Sequence, residues 1–190
     1  MKTTLAAGAL LLALGSDALP HQLDEYVQAT TLSVEKNRVQ AWIRLTPGVA
    51  VWPAVFAAID ANGDGTLSEA EQRAYTERVL GDLSLTVDGT RLALRLVSWK
   101  WGRVEDMREG LGTIELEVGA DVPRGGRDRR LVFENRHETR IAAYLVNCLV
   151  PTDPDIRITA QRRNYAQSVY RLDYRTTWAH RAGGGFGPGV

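Results

Sequence analysis

Cysteine is almost missing from this sequence: Cys148 is the one thiol among 190 residues. An internal disulfide is therefore excluded, and so is a zinc cluster built on thiolates. Charge excess of either sign is missing too, since 23 Lys and Arg balance 23 Asp and Glu. Without excess positive charge, sequence-independent DNA binding is not expected, because neutralising phosphates needs a basic face. No run reaches the roughly eighteen apolar residues of a membrane span. No Gly-x-Ser-x-Gly nucleophile turn and no phosphate-cradling glycine loop occur. What is present is the balance of a folded domain, with 44% hydrophobic and 24% charged residues.

The first residues read as an address. Lys2 is followed by the apolar stretch Leu5 to Gly15, then by small residues at Ser16 and Ala18. This is the pattern of a cleaved signal peptide covering residues 1–18, and it predicts a periplasmic or secreted chain beginning at Leu19. The following Pro20 has no N–H to lose, so His21 is not expected to form an amino-terminal copper or nickel site. At the other end, residues 182–190 are glycine-rich and read as a disordered tail.

Between these ends, residues 19–181 read as one mainly β domain. Val39, Ala41, Ile43 and Leu45 alternate with polar or amphipathic neighbours, the period of a half-buried strand. The Thr- and Val-rich segment 25–34 precedes it, with Lys36-Asn37 as the turn of a hairpin. Leu83, Leu85 and Val87 alternate likewise, Asp88-Gly89 favours a tight turn, and Leu92, Leu94 and Leu96 are expected to return beside them. Further strands are expected at 113–119, 130–135, 155–160 and 167–174. The apolar run Ile141 to Val150 fits a central strand or a buried helix equally. Many short strands with frequent turns predict an antiparallel β-sandwich-like domain.

One helical pair, over 52–80, interrupts the strands. Trp52, Val55, Phe56 and Ile59 fall on one helical face, with Pro53 where a first turn tolerates it. A second helix is expected from Ser68, where Ser68-x-x-Glu71 has capping-box spacing, to about Gly81. Between the helices lies DANGDGTLSEAE, residues 60–71. Calcium is a hard cation that takes six to eight oxygens. Asp60, Asn62 and Asp64 offer side-chain oxygens at alternate positions, and Gly65 permits the bend. Thr66 would contribute its carbonyl, Ser68 would act directly or through water, and Glu71 would bind with both oxygens. Leu67 is expected to turn away into apolar packing. Polar turns also use Asp, Asn and Gly, but they do not need this spacing or the late glutamate.

This segment resembles EF-hand calcium-binding proteins over Trp52 to Leu80. EF-hands usually pair, and no second loop is visible, since Asp153-Pro154-Asp155 lacks both the glycine and the glutamate. The resemblance implies one Ca2+ and a structural role rather than a sensor's. A second resemblance follows the order of Leu23 to Tyr26, a strand pair, residues 60–71 and then Leu85 to Gly89. It is similar to the extracytoplasmic domain preceding the membrane helices in some bacterial nickel/cobalt exporter-type proteins. That likeness implies a periplasmic accessory module with an envelope protein partner, linked to transition-metal export. It does not imply transport by this chain.

Catalysis is not expected. His137-Glu138 begins like a zinc-protease motif, but the second histidine would stand at Ile141. Cys148 sits in an apolar run, as inert thiols do. Trp99 and Trp101 flank Lys100 on one strand face, which suits cross-strand packing first and a sugar or peptide platform second. The basic stretch Arg124 to Arg130 reads first as a solvated loop and second as a contact for an anionic partner.

Overall fold

The computed structural model describes residues 24–177, so the expected signal peptide, His21, His180 and the glycine-rich tail lie outside the described residues. Two sheets of five strands form a mostly antiparallel β-sandwich-like fold. The first hairpin is β1 (Tyr26–Val34) and β2 (Arg38–Pro47), paired from Tyr26↔Pro47 to Val34↔Val39. Helices α1 (Trp52–Ile59) and α2 (Glu69–Gly81) follow, then β3 (Leu83–Val87). Asp88 and Gly89 both take positive φ, 52° and 81°, the tight hairpin turn that Asp-Gly favours.

Beyond that turn the structure departs from expectation. The returning strand β4 is only Thr90–Arg91; the Leu92 amide still donates to the Leu85 carbonyl of β3 at 2.9 Å, and residues 92–94 then leave the ladder. The chain then crosses to the other sheet as β5 (Arg95–Trp101). Leu92 is buried at this last bond to β3, and the chain crosses beyond it. A five-residue helix, α3 (Val104–Arg108), comes next and buries Met107. Gly112 packs against it so closely that a Cβ there would lie 2.5 Å from the Met107 amide nitrogen.

The remaining strands are β6 (Ile114–Asp121), β7 (Asp128–Asn135), β8 (Ala142–Cys148), β9 (Ile156–Arg163) and β10 (Val169–Thr176). The apolar run at 141–150 is therefore a strand over most of its length. One sheet has the order β5-β6-β2-β1-β8 and the other β4-β3-β7-β10-β9. One correction to an all-antiparallel plan is that β8 runs parallel to β1, Tyr26 facing Ala142 and Leu32 facing Cys148. Leu32, Ile43, Leu45 and Leu116 from one sheet meet Leu85, Leu131, Phe133 and Leu172 from the other in the core.

The helical pair covers the end of the sandwich where β1 begins and β2 and β7 finish. Trp52, Val55 and Ile59 of α1 and Tyr75 and Val79 of α2 are buried there. Trp99 and Trp101 face the interior side of β5, opposite Leu116 and Ile114. Trp101 meets the Tyr75 ring edge-on at 5.9 Å, and Arg73 lies 5.5 Å from the Trp99 ring. Both indoles are half-buried and packed against the core.

Candidate metal site

The loop at 60–71 begins where α1 ends. Asp60 is the C-cap of α1, its amide donating to the Phe56 carbonyl at 2.8 Å. Asp60 Oδ1 accepts from the amides of Gly63 at 2.9 Å and Asp64 at 3.2 Å, and Oδ2 from that of Gly65 at 2.9 Å. One carboxylate thus gathers three peptide N–H groups and curls the chain around itself. The curl needs left-handed backbone at Gly63 and Gly65, where φ is 73° and 81°. Asn62 Oδ1 accepts from the Asp64 amide, and its Nδ2 donates to Asp64 Oδ2 at 2.9 Å. Asp64 Oδ1 accepts from the amide and hydroxyl of Thr66, at 2.8 and 2.7 Å.

Glu71 closes the far end. Its Oε2 accepts from the Ser68 amide at 2.9 Å and hydroxyl at 2.6 Å, while Ser68 Oγ accepts from the Glu71 amide. This is the reciprocal capping box expected at the start of α2. Its other oxygen, Oε1, reaches back across the loop to the amides of Ala61 at 2.9 Å and Asn62 at 3.3 Å. The first and last acidic residues of the segment are therefore tied by the same turn of backbone. Leu67 packs against the core, as expected, and anchors the loop's midpoint.

Electrostatics follow from these bonds. The Thr66 hydroxyl, then its amide, hold the Asp64 carboxyl below the usual carboxylate range. The Ser68 hydroxyl, then its amide, do the same for Glu71. Both side chains are anions at neutral pH, as ligands for a hard cation must be. Every donor among Asp60, Asn62, Asp64, Thr66, Ser68 and Glu71 is oxygen, and the Thr66 carbonyl accepts no hydrogen bond among the described residues. In chemistry and order the residues fit Ca2+. The carboxylate oxygens are nonetheless engaged with backbone N–H groups. No group of three or more His, Cys, Asp or Glu placed to hold a metal ion occurs among the described residues.

The Asp153-Pro154-Asp155 segment is accounted for differently. Lys36 pairs with Asp155 and lies 3.6 Å from Asp153, which fixes the β8–β9 connection to the first hairpin turn.

A second polar cluster was not read from the sequence. His137 is fully buried where the chain leaves one sheet at Asn135 and enters the other at Ala142. Its Nδ1 bonds to Asp82 at 2.8 Å and its Nε2 to the Tyr75 hydroxyl at 2.9 Å, which in turn meets the Tyr26 hydroxyl at 2.9 Å. The His137 carbonyl accepts from Gln28 at 2.9 Å and the Tyr144 hydroxyl at 2.7 Å, and its amide donates to Asn135 Oδ1. Burial pushes the Tyr75 phenol up to about 12 and the His137 imidazole down. The connectivity is that of an acid–base relay, but its terminal hydroxyls are sealed, Tyr75 being 3% exposed and Tyr26 0%. The cluster rivets the crossover and holds α2 through Tyr75. Cys148 is likewise covered, and burial raises its thiol to about 11. Its thiolate fraction at neutral pH is small, so it is a poor nucleophile.

No family model, curated protein or solved structure matches this chain.

Proposed function

We propose that this chain is an exported calcium-binding protein with a single EF-hand-type loop, and that the ion serves the fold rather than a reaction. The observation that carries the reading is the closure of residues 60–71. Asp60 collects the amides of Gly63, Asp64 and Gly65, while Glu71 reaches from α2 back to Ala61 and Asn62. Those two acids stand at the first and twelfth positions of a calcium loop. Calcium would be held by Asp60, Asn62, Asp64, Glu71, the Thr66 carbonyl and Ser68, directly or through water. It would supply a fixed double positive charge that relieves repulsion among three carboxylates. The export half of the reading rests on the residue pattern of Met1 to Ala18.

Calorimetric titration tests the reading. One calcium should bind per chain, magnesium should compete weakly because it demands a tighter octahedron, and nickel should bind this loop more weakly than calcium. Asp60→Ala should abolish the heat. Nickel binding tighter than calcium at these residues would overturn it, as would no calcium binding at millimolar concentration.

A further inference from the structure

The net charge of zero hides a segregation of charge. In the β4-β3-β7-β10-β9 sheet, alternate residues turn outward, and the register aligns them in rows. Arg91, Thr86, Val132, Arg171 and Arg162 form one row across all five strands. Asp128, Arg175 and Arg157 form another, and Arg130 stands opposite Asp173 between them. The arginines of both rows and Arg130 are exposed.

The same face carries Asp128, Glu134 and Asp173, which do not cancel it. Asp173 is shared between Arg130 at 2.7 Å and Arg162 at 3.8 Å, and Asp128 takes Arg175 at 2.6 Å. Arg157 and Arg171 pair with no carboxylate among the described residues. Every cation of the face is arginine, whose planar fork suits phosphate in a bidentate manner. The apolar residues between them are small, Val132, Ala160 and Val169, because Tyr170, Leu172 and Tyr174 point inward. One large ring projects nearby. Tyr165, in the turn joining β9 to β10, is 107% exposed.

We propose that this arginine face docks on an anionic phospholipid surface, with Tyr165 at the headgroup level. Five strands at their usual spacing make a face about 20 Å wide, which meets many phosphates of a plane at once. Tyrosine favours the boundary between headgroups and water, where one end of its ring is apolar and the other wet. A protein partner would call for large apolar or aromatic residues at the centre of the face, and these are turned inward. Duplex DNA would call for an element that enters a groove, and single strands for successive stacking rings. The face offers neither, since its one ring stands at the end of a hairpin.

Co-sedimentation of the full chain with vesicles tests the proposal, run in chelator so that the outcome is independent of calcium. Vesicles of phosphatidylcholine mixed with phosphatidylglycerol should retain the protein at low salt, and phosphatidylcholine alone should not. High salt should release it, because exposed charges are screened. Arg162→Gln with Arg171→Gln should weaken partitioning about five-fold per charge removed, whereas Arg95→Gln, on the opposite sheet, should change nothing. Tyr165→Ala should give a smaller loss. The proposal is overturned by equal binding to both vesicle types, or by none to the anionic vesicles at low salt. It is also overturned if the double variant melts as wild type yet binds unchanged. Duplex DNA displacing the protein from vesicles through the same arginines would equally contradict it. Should the double variant unfold, the lipid and salt dependence of the wild type still decides.

Discussion

His137 has two opposing influences on its proton. Burial lowers its affinity for a proton, and the hydrogen bond to Asp82, with the charges of Glu138 and Asp82, raises it; Arg78 lowers it again. Burial wins, so the folded imidazole binds its proton more weakly than an unfolded one, whose pKa is about 6.5. Above that value neither state carries the proton and folding is not penalised. Below it the unfolded chain binds the proton first, so stability is lost as pH falls through this window. The depressed carboxylates Asp64 and Glu71 lose their contribution only at more acidic pH, which separates the two effects. Urea unfolding at pH 7.5 and 5.5 should therefore show lower stability at the acidic value. His137→Asn should remove much of that pH dependence. It should also cost about 1–3 kcal/mol at neutral pH, by leaving Tyr75 and Asp82 without their buried partner. An unchanged pH slope in the variant would show that His137 is not the group responsible.

Helix α2 is held at its two ends by different chemistry. Tyr75 and Val79 bury one face of it, and the Ser68–Glu71 box satisfies its first amides. Ser68→Ala removes the hydroxyl from both bonds and should cost about 1 kcal/mol in chelator. That is a fall of roughly 2–4 °C in melting temperature for a chain of this size. A calorimetric scan without calcium checks it, and an unchanged midpoint would show that the box does not hold the helix. At this scale the sequence was informative wherever one periodicity ruled a segment. The hairpin of β1 and β2, the two helices, the capping box and the turn at Asp88-Gly89 all follow from local pattern. Leu92, Leu94 and Leu96 misled because the return beside β3 ends at the Leu92–Leu85 bond, after which the chain crosses with Leu94 half-buried and Leu96 exposed. The run at 141–150 was ambiguous because its pattern does not distinguish a strand from a buried helix. The parallel pairing with β1 was hidden because register between distant segments leaves no local mark. His137 was read only as a failed protease motif. Its partners come from β1 (Gln28) and from α2 with its C-cap (Tyr75 and Asp82), both far from it in the chain.

Across the whole molecule, charge and ligand chemistry are kept apart. Arginines from β4, β7, β9 and β10 share one outer face; of the basic stretch Arg124 to Arg130, β7 places Arg130 on that face and buries Arg129 against Asp88. The acidic loop, by contrast, was legible as a set, because all of its residues lie within twelve consecutive positions. What the sequence could not supply was the state of its carboxylates, which the fold bonds to backbone amides. If calcium binds the folded chain alone, it stabilises by RT ln(1 + [L]/Kd), about 2.7 kcal/mol at a hundred-fold excess over Kd. On the proposed reading of a lone hand in an exported chain, the site falls at the weak end, with Kd of about 10⁻⁴ to 10⁻³ M. The melting temperature should then rise by about 5–10 °C at such an excess, and chelator should reverse the rise.

Comparing that rise between the wild type and Glu71→Gln tests the central claim most directly. The substitution removes one charge and leaves a single oxygen, which can accept at the Ser68 end or from the Ala61 and Asn62 amides but not at both, a loss offset in chelator by relief of repulsion among the three carboxylates. The account predicts that the melting point in chelator changes little and that most of the calcium-dependent rise disappears. Equal calcium shifts in the two proteins would contradict it, and would make residues 60–71 a polar turn between α1 and α2.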